Sequence, residues 1–465
     1  MRSWSTVSRG FGSDWRREFR PMLRMAIPLV TAELGWMTMG IVDSIMAGRL
    51  GAAALGAGSL GGMVFYPVVI AGTGMLLGID TLAAQAFGAS DLAECRRALI
   101  QGLWLSLAMT NPLMAVIWAL IPVLRAGGTN PDVMLPLVPY MQALNWGILF
   151  LLLYAAFRRY LQAVDVVKPV MFATVSANLV NVLGNWVLMY GHWGVRPMGL
   201  EGSGWSTSLS RLYMAGVLGA TVVWHERKHD NLLFRVSWRP ELARIRKLAE
   251  LGLPAAGQIL FEGAVFGVVT ALAARLDEVS LAAHAIAVQT IATTYMVPLG
   301  ISSAAAVRVG QAVGRGDRQG AAEAGWTALG MGTVFMAGAG VVLAVVPQAL
   351  VRIFIGNAAV IASGAVLLRI AALFELFDGL QTVSTGALRG LGDTRSPMLA
   401  HLAGYWVAGL PIAYVLCFPL GWGVRGIWVG LTTALIAIGV ALPAVWHRRL
   451  RDATIPVRNP TLEDR

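Results

Sequence analysis

The sequence predicts an all-α integral membrane protein with twelve transmembrane helices in two six-helix bundles, related by a pseudo-twofold axis along the membrane normal. Three observations carry that prediction. The 465 residues are 57% hydrophobic and only 13% charged, where soluble domains carry about a quarter charged residues, and the mean hydropathy is +0.66. Twelve apolar runs each reach the ~20 residues that a helix needs to cross a bilayer core. The second half repeats the first at a constant offset of 226, the spacing from Pro28 to Pro254. Arg49-Leu50 falls on Arg275-Leu276, Gly74 on Gly300, Gln85-Ala86 on Gln311-Ala312, Gly88 on Gly314 and Asp91 on Asp317. A register held without a gap over that span marks an internal duplication.

The chain begins with a basic segment, residues 1–24, carrying Arg2, Arg9, Arg16, Arg17, Arg20 and Arg24. Apolar runs follow at about 25–47, 54–79, 98–123, 134–157, 170–190 and 203–223, forming an N-lobe over 25–223. A basic linker, 224–247, leads to six more runs at about 250–274, 281–306, 322–347, 360–386, 398–419 and 426–446. These form a C-lobe over 248–446, before a polar tail at 447–465. Six spans per repeat is an even number, so both copies insert the same way round, the parallel-repeat arrangement. Two bundles with a cleft between them suit alternating access. Gly58-x-x-x-Gly62 and Gly74-x-x-x-Gly78 suit close helix approach in lipid.

Of the 36 Lys and Arg, 28 fall on the side of the two termini and 6 on the other. Cytoplasmic loops carry the excess of basic residues, so both termini and the central linker are expected in the cytoplasm. The net charge of +11 is then a topology signal, and no nucleic-acid partner is expected. The first run is too long for a cleavable signal and contains Glu33 and Asp43. Cys95 lies in a short polar loop and Cys417 in an apolar run, so no disulfide is expected.

Ionisable residues inside apolar runs carry the functional signal, because each costs on the order of 3 kcal/mol to insert and usually marks an ion or substrate pathway. They are Glu33 and Asp43 in the first run, Asp80 near the end of the second, Glu262 in the seventh, and Glu375 and Asp378 in the tenth. Glu375 and Asp378 are three apart and share a helix face. Two carboxylates in one dry cavity can share a proton or a sodium ion. Glu262 and Asp378 read as functional. Asp43 lies close to the outer end of its helix, and Glu33 and Asp80 divide evenly between a functional and an interface or solvent-facing role. In the fifth run Asn178, Asn181 and Asn185 form a polar stripe. Such amides either glue helices together, hold a cation through their oxygens, or steady a carboxylate such as Asp43.

Two further motifs are weak. His225-Glu226-Arg227-Lys228-His229 fits the H-E-x-x-H zinc pattern, but it lies in the basic linker with no third ligand, so no metal site is expected there. Arg315-Gly316-Asp317-Arg318-Gln319-Gly320 resembles the loop motif of major facilitator transporters, but Ala321-Ala322 stands where a basic pair is expected.

Over roughly residues 20–446 the chain resembles the multidrug and toxic compound extrusion (MATE) transporters, specifically their NorM-like branch. The residues that carry the resemblance are Val42-Asp43-Ser44-Ile45-Met46-Ala47-Gly48, Gln85-Ala86-Phe87-Gly88 followed by Arg96-Arg97, and Phe261-Glu262. Gln311-Ala312-Val313-Gly314 and Phe377-Asp378, leading into Leu388-Arg389-Gly390-Leu391-Gly392-Asp393-Thr394, complete the set. The resemblance implies a monomeric antiporter of the bacterial inner membrane, not an enzyme and without a cofactor. An inward Na+ or H+ gradient would drive amphipathic, often cationic compounds outward. It assigns a C-lobe cation site to Glu262 and Asp378; Glu375 in the C-lobe and Glu33 in the N-lobe are expected as supporting polar residues. In archaeal and DinF-like relatives the first-helix aspartate works with the fifth helix, which maps to Asp43, Asn181 and Asn185, with Asn178 on the same stripe. Asn185 stands where a second aspartate is usual. Two other readings compete. A lipid-linked oligosaccharide flippase would carry basic residues in its cavity, yet only Arg211 and Arg369 lie within the runs. A membrane-embedded zinc protease would rely on His225 and His229.

Overall fold

The computed structural model describes residues 15–228 and 236–452, with side chains from residue 18 onward, and contains no strand among them. Twelve long helices follow in order: α1 (Trp15–Gly48), α2 (Ala52–Gly88), α3 (Leu92–Ala126), α4 (Pro131–Trp146 and Ile148–Ala163), α5 (Lys168–Leu188), α6 (Leu200–Lys228), α7 (Leu242–Ala273), α8 (Glu278–Gly314), α9 (Arg318–Val345), α10 (Ala358–Leu391), α11 (Arg395–Cys417) and α12 (Val424–Asp452). A six-residue helix, Pro347–Arg352, stands between α9 and α10. Ten of the twelve are long and apolar enough to cross a membrane, and α4 is an eleventh if its two arms, bent by 42°, count as one span. The remaining one, α6, has 29 residues but is diluted by Glu201, Arg211 and a run of serines. The helices are longer than the apolar runs, because polar turns extend them past the bilayer core. Helices enter the stretch expected as a linker from both ends: α6 runs on to Lys228 and α7 begins at Leu242.

The duplication is visible in local geometry. Asp91 caps α3 by accepting from the Glu94 N–H at 2.9 Å, and Asp317 caps α9 by accepting from the Gly320 N–H at 2.7 Å. Each aspartate follows a left-handed residue, Ser90 at φ 60° and Gly316 at φ 74°. In both copies the chain leaves one helix through the same tight turn and an acidic N-cap starts the next. Asn130 and Asn357 likewise cap α4 and α10.

The chain divides into two compact units, one of Thr31–Ala256 and the other of the chain up to Val30 together with Gly257 onward. Helices α1 and α7 therefore each begin in one unit and end in the other. The packing that fixes these beginnings repeats too. A Cβ on Gly74 would come within 2.7 Å of the Ala256 Cα, and one on Gly300 within 2.7 Å of the Val30 Cα, four positions related by the repeat offset. Only glycine admits backbone that close, as in other membrane helix pairs.

Two features position polar groups. In the unit of Gly257 onward, α10 packs against α8, α9 and α12, and the α8–α10 crossing is so tight that a Cβ on Gly386 would lie 2.1 Å from the Ser302 carbonyl oxygen. Residues along α10 are thereby enclosed. In the other unit, α4 bends at Gly147. Side chains of α6 donate to the carbonyls there: the Ser208 hydroxyl donates to the Ala143 oxygen at 2.7 Å, and Arg211 donates to the Leu144 oxygen at 3.3 Å beside the Gly147 N–H. With no water in a bilayer core, a bent span needs such donors.

Candidate functional site

The richest polar cluster lies in the unit of Gly257 onward, where α7, α10 and α11 converge. Glu262 of α7 receives the Gln258 amide on Oε2 at 3.0 Å and the Gln381 amide on Oε1 at 3.0 Å. The same Gln381 Nε2 donates to Asp378 Oδ1 at 3.0 Å, so one neutral amide bridges two carboxylates from different helices. Asp378 is 4% exposed, and Glu375 and Gln381 are fully buried. Glu375 lies one turn before Asp378 and accepts from the Thr294 hydroxyl of α8 at 2.8 Å. The sequence brought Glu262, Asp378 and Glu375 forward, and the fold gathers all three in one unit.

Sequence reasoning missed Gln381, Gln258, Thr294 and His401. A signal for the first was present: Glu375, Asp378 and Gln381 recur at helical spacing and continue into Thr382 and Thr385 on the same buried stretch. His401 of α11 places Nδ1 3.6 Å from Glu262 Oε2. It stands just before a widened π-helical segment, Leu402–Gly409, of the kind that often marks functional sites. Tethering α11 to α7 beside the cluster, the Trp406 indole donates to the Phe261 oxygen at 3.0 Å. Two buried histidines in this unit differ instructively. His284 is held at both ring nitrogens, by Trp428 at 3.2 Å and Thr270 at 2.9 Å. Among the described residues, neither ring nitrogen of His401 has a hydrogen-bond partner.

A second cluster lies in the unit of Thr31–Ala256. Asp43 receives the Asn185 amide at 2.6 Å on one oxygen and the Thr207 hydroxyl at 3.1 Å on the other. Asn181 completes it, 3.3 Å from Asn185 and 3.5 Å from Thr207. Asn178 stands apart, donating to the Gly35 and Thr174 carbonyls at 2.9 and 3.0 Å. It joins α5 to α1 rather than reaching Asp43.

Charge partners separate the acids into two kinds. Glu33 pairs with Arg158, and Asp80 with Arg159 at 3.2 Å. Both arginines, adjacent on α4, supply the neutralising charge that a buried carboxylate requires. Among the described residues no Lys or Arg pairs with Glu262, Asp378, Glu375 or Asp43. Arg211, one of the two basic residues within the apolar runs, is buried at the α4 bend with its guanidinium 5.0 Å from the Phe65 ring centre. Within the H-E-x-x-H pattern, Glu226 is held by Arg96 at 2.5 Å and by the Tyr160 hydroxyl, while His229 lies outside the described residues. Among the described residues no three His, Cys, Asp or Glu gather as a metal site.

Comparison with known proteins places this geometry in a family. The MatE family profile matches residues 28–187 and 254–415, one match to each half. A probable multidrug resistance protein NorM of Mesorhizobium japonicum is 38% identical over 446 residues, covering 94% of this chain and 96% of that protein. A protein of the same description from Brucella suis is 35% identical over 454 residues, covering 96% of each. Among solved structures, the eukaryotic MATE transporter AtDTX14 superposes with a TM-score of 0.85 at 20% identity, covering 95% of this chain and 99% of that one. An outward-facing multidrug resistance MATE family transporter superposes with a TM-score of 0.82 at 17% identity, covering 95% and 98%. Two profile matches in the two repeats, full-length relatives and a shared twelve-helix fold agree: the chain is a multi-pass membrane protein of the MatE family, in its NorM-like branch.

Proposed function

We propose that this protein is a secondary active antiporter of the bacterial cytoplasmic (inner) membrane. It exports amphipathic, often cationic compounds in exchange for Na+ or H+ by alternating access, with both termini in the cytoplasm. The names of its relatives, multidrug resistance proteins, support the cargo class, and the excess of Lys and Arg on one side supports the orientation. The observation that carries the mechanism is that, among the described residues, no Lys or Arg pairs with Glu262 or Asp378, in contrast to Glu33 and Asp80, while the His401 ring beside Glu262 makes no hydrogen bond. Carboxylates left without a fixed counter-charge in a membrane helix are expensive, so a mobile cation has to supply it.

That mobile charge is either the coupling ion or the cargo. Binding Na+ or a proton neutralises the pair and removes the attraction for a cationic compound, whereas release of the ion restores it. Occupancy is therefore mutually exclusive, which is the requirement for exchange. Moving one charge through 100 mV supplies about 2.3 kcal/mol, enough to bias the cycle. The donor set suits a small hard cation: two carboxylates and the Gln381 carbonyl oxygen, which is buried and has no hydrogen-bond partner among the described residues. A second site at Asp43 is favoured by its own geometry, since only neutral donors, Asn185 and Thr207, hold it.

Ethidium efflux from drug-sensitive bacteria expressing the protein, with and without sodium, tests the proposal. Glu262→Gln and Asp378→Asn are expected to abolish efflux and Asp43→Asn to leave most of it. Loss only in Asp43→Asn would move coupling to the other unit. No efflux of ethidium or other cationic dyes by the wild type would overturn the cargo class.

A further inference from the structure

We propose that Gln381 is a rotating ligand: its amide N–H stands between Glu262 and Asp378 in this structure, and its carbonyl oxygen turns in to bind a monovalent cation. The inference rests on the antiport reading and names the ion, Na+ rather than H+. Gln381 is fully buried on α10, and its Nε2 reaches three acceptors: Glu262 Oε1 and Asp378 Oδ1 at 3.0 Å each and Thr382 Oγ1 at 3.3 Å. An amide nitrogen has two protons, so it is oversubscribed. Its Oε1, one bond away, is buried without a hydrogen-bond partner among the described residues. All the polarity of this side chain is thus spent on one end, while the other end, an acceptor with two lone pairs, is idle.

This imbalance is what an amide looks like when its donor end occupies a cation's place. Two carboxylate oxygens from α7 and α10 converge on a single point, and the partial positive charge of the N–H group is there in lieu of a full one. A terminal amide torsion is broad and roughly two-fold, so rotation by half a turn exchanges nitrogen for oxygen without moving the backbone. After rotation the carbonyl oxygen joins Glu262 and Asp378 as an oxygen ligand of the kind that Na+ takes, and the idle acceptor acquires a partner. A proton asks for nothing of the sort. Placed on one carboxylate, it leaves the Gln381 N–H free to keep donating to the other, and no rotation follows. The side chain therefore discriminates between the two coupling ions by whether its orientation must change.

The test uses purified full-length protein, with NaCl titrated calorimetrically against choline chloride and infrared difference spectra recorded on Na+ addition. Wild type is expected to bind Na+ with a shift of a glutamine side-chain carbonyl band. Gln381→Leu is expected to lose that band and to bind Na+ roughly tenfold more weakly, the scale of one lost polar contact. Gln381→Glu presents oxygen without rotation and is expected to keep Na+ binding while losing the band; it also serves if the leucine variant fails to fold. Na+ affinity in Gln381→Leu indistinguishable from wild type, while Glu262→Gln/Asp378→Asn binds none, overturns the role of Gln381 and leaves the antiport reading standing. Wild-type Na+ affinity in that double acid variant overturns the antiport site itself. A wild type that takes up protons and no Na+ overturns the rotating ligand.

Discussion

Arg159→Gln is predicted to destabilise the protein by about 3 kcal/mol, and adding Asp80→Asn is predicted to restore most of the loss. Asp80 is fully buried, and the Arg159 guanidinium lies 3.2 Å from its Oδ2 with only 16% of its side chain exposed. At that distance and an effective dielectric constant of about 20, the attraction is roughly 5 kcal/mol. Removing one member of such a pair usually costs about 3–5 kcal/mol, because a buried charge is left uncompensated. The lower end applies here: α2 is interrupted at Leu76–Leu77, and Asp80 sits in the first turn of the stretch that follows, Gly78–Gly88, where the positive end of the helix dipole retains a share of the stabilisation. In the double variant no charge is left to strand, so the cost falls away. Detergent-driven unfolding of the purified proteins, with SDS as denaturant, measures all three. A loss below about 1 kcal/mol in Arg159→Gln, or a double variant no more stable than the single one, would show that the arginine does not neutralise Asp80. The distinction drawn between paired and unpaired acids would then fail with it.

Three more predictions test the architecture around the sites. Gly386→Ala places a methyl 2.1 Å from the Ser302 oxygen and is expected to lower the melting temperature sharply, whereas Gly338→Ala on α9, with nothing within 4 Å, is expected to be neutral or to gain up to about 1 kcal/mol from helix propensity. Arg211→Met removes the donor that α6 supplies to the Leu144 carbonyl, which keeps the Gly147 N–H, and is expected to cost about 0.5–1.5 kcal/mol, read by the same unfolding titration, with Arg211→Lys recovering part of it. Hydrogen bonds from Ser280 hold the Asp277 carboxyl below its ordinary value of 3.8. A depressed carboxyl stabilises the fold above its unfolded value, and the gain disappears as pH falls through the folded one. Asp277→Asn should therefore differ from wild type in melting temperature at neutral pH and converge with it in strong acid.

Much of the fold was legible because its signals are local or periodic. The offset that aligned Asp91 with Asp317 reappears as two aspartate caps, each after a left-handed residue, and apolar length located the spans. What stayed hidden depends on contacts distant in sequence. Arg158 and Arg159 read as loop charges, yet they pair with residues 125 and 79 positions away. The exchange points at Val30 and Ala256 leave no mark in composition, since both lie inside unbroken apolar helices. Within the candidate site the acids were visible because a carboxylate in an apolar run is conspicuous. Gln381 was not, because a neutral amide hardly dents hydropathy and its meaning comes from the two oxygens it touches. Asn178 shows the converse: it shared a stripe with Asn181 and Asn185, but one turn along the helix carried it out of reach of Asp43.

The division of α1 and α7 between the two units sets a timetable for biosynthesis. The start of α1 leaves the ribosome first, but Val30 is packed by Gly300, which is made 270 residues later in the chain. At about 5–20 residues per second, that segment waits on the order of a quarter of a minute to nearly a minute before its partner is synthesised. The first six helices are in the same position, since their unit is closed only when Ala256 has been inserted. Neither half can finish assembling alone: a ribosome stalled before Ala256 leaves the first bundle unclosed, and one stalled later leaves the second incomplete, exposed to quality-control proteolysis.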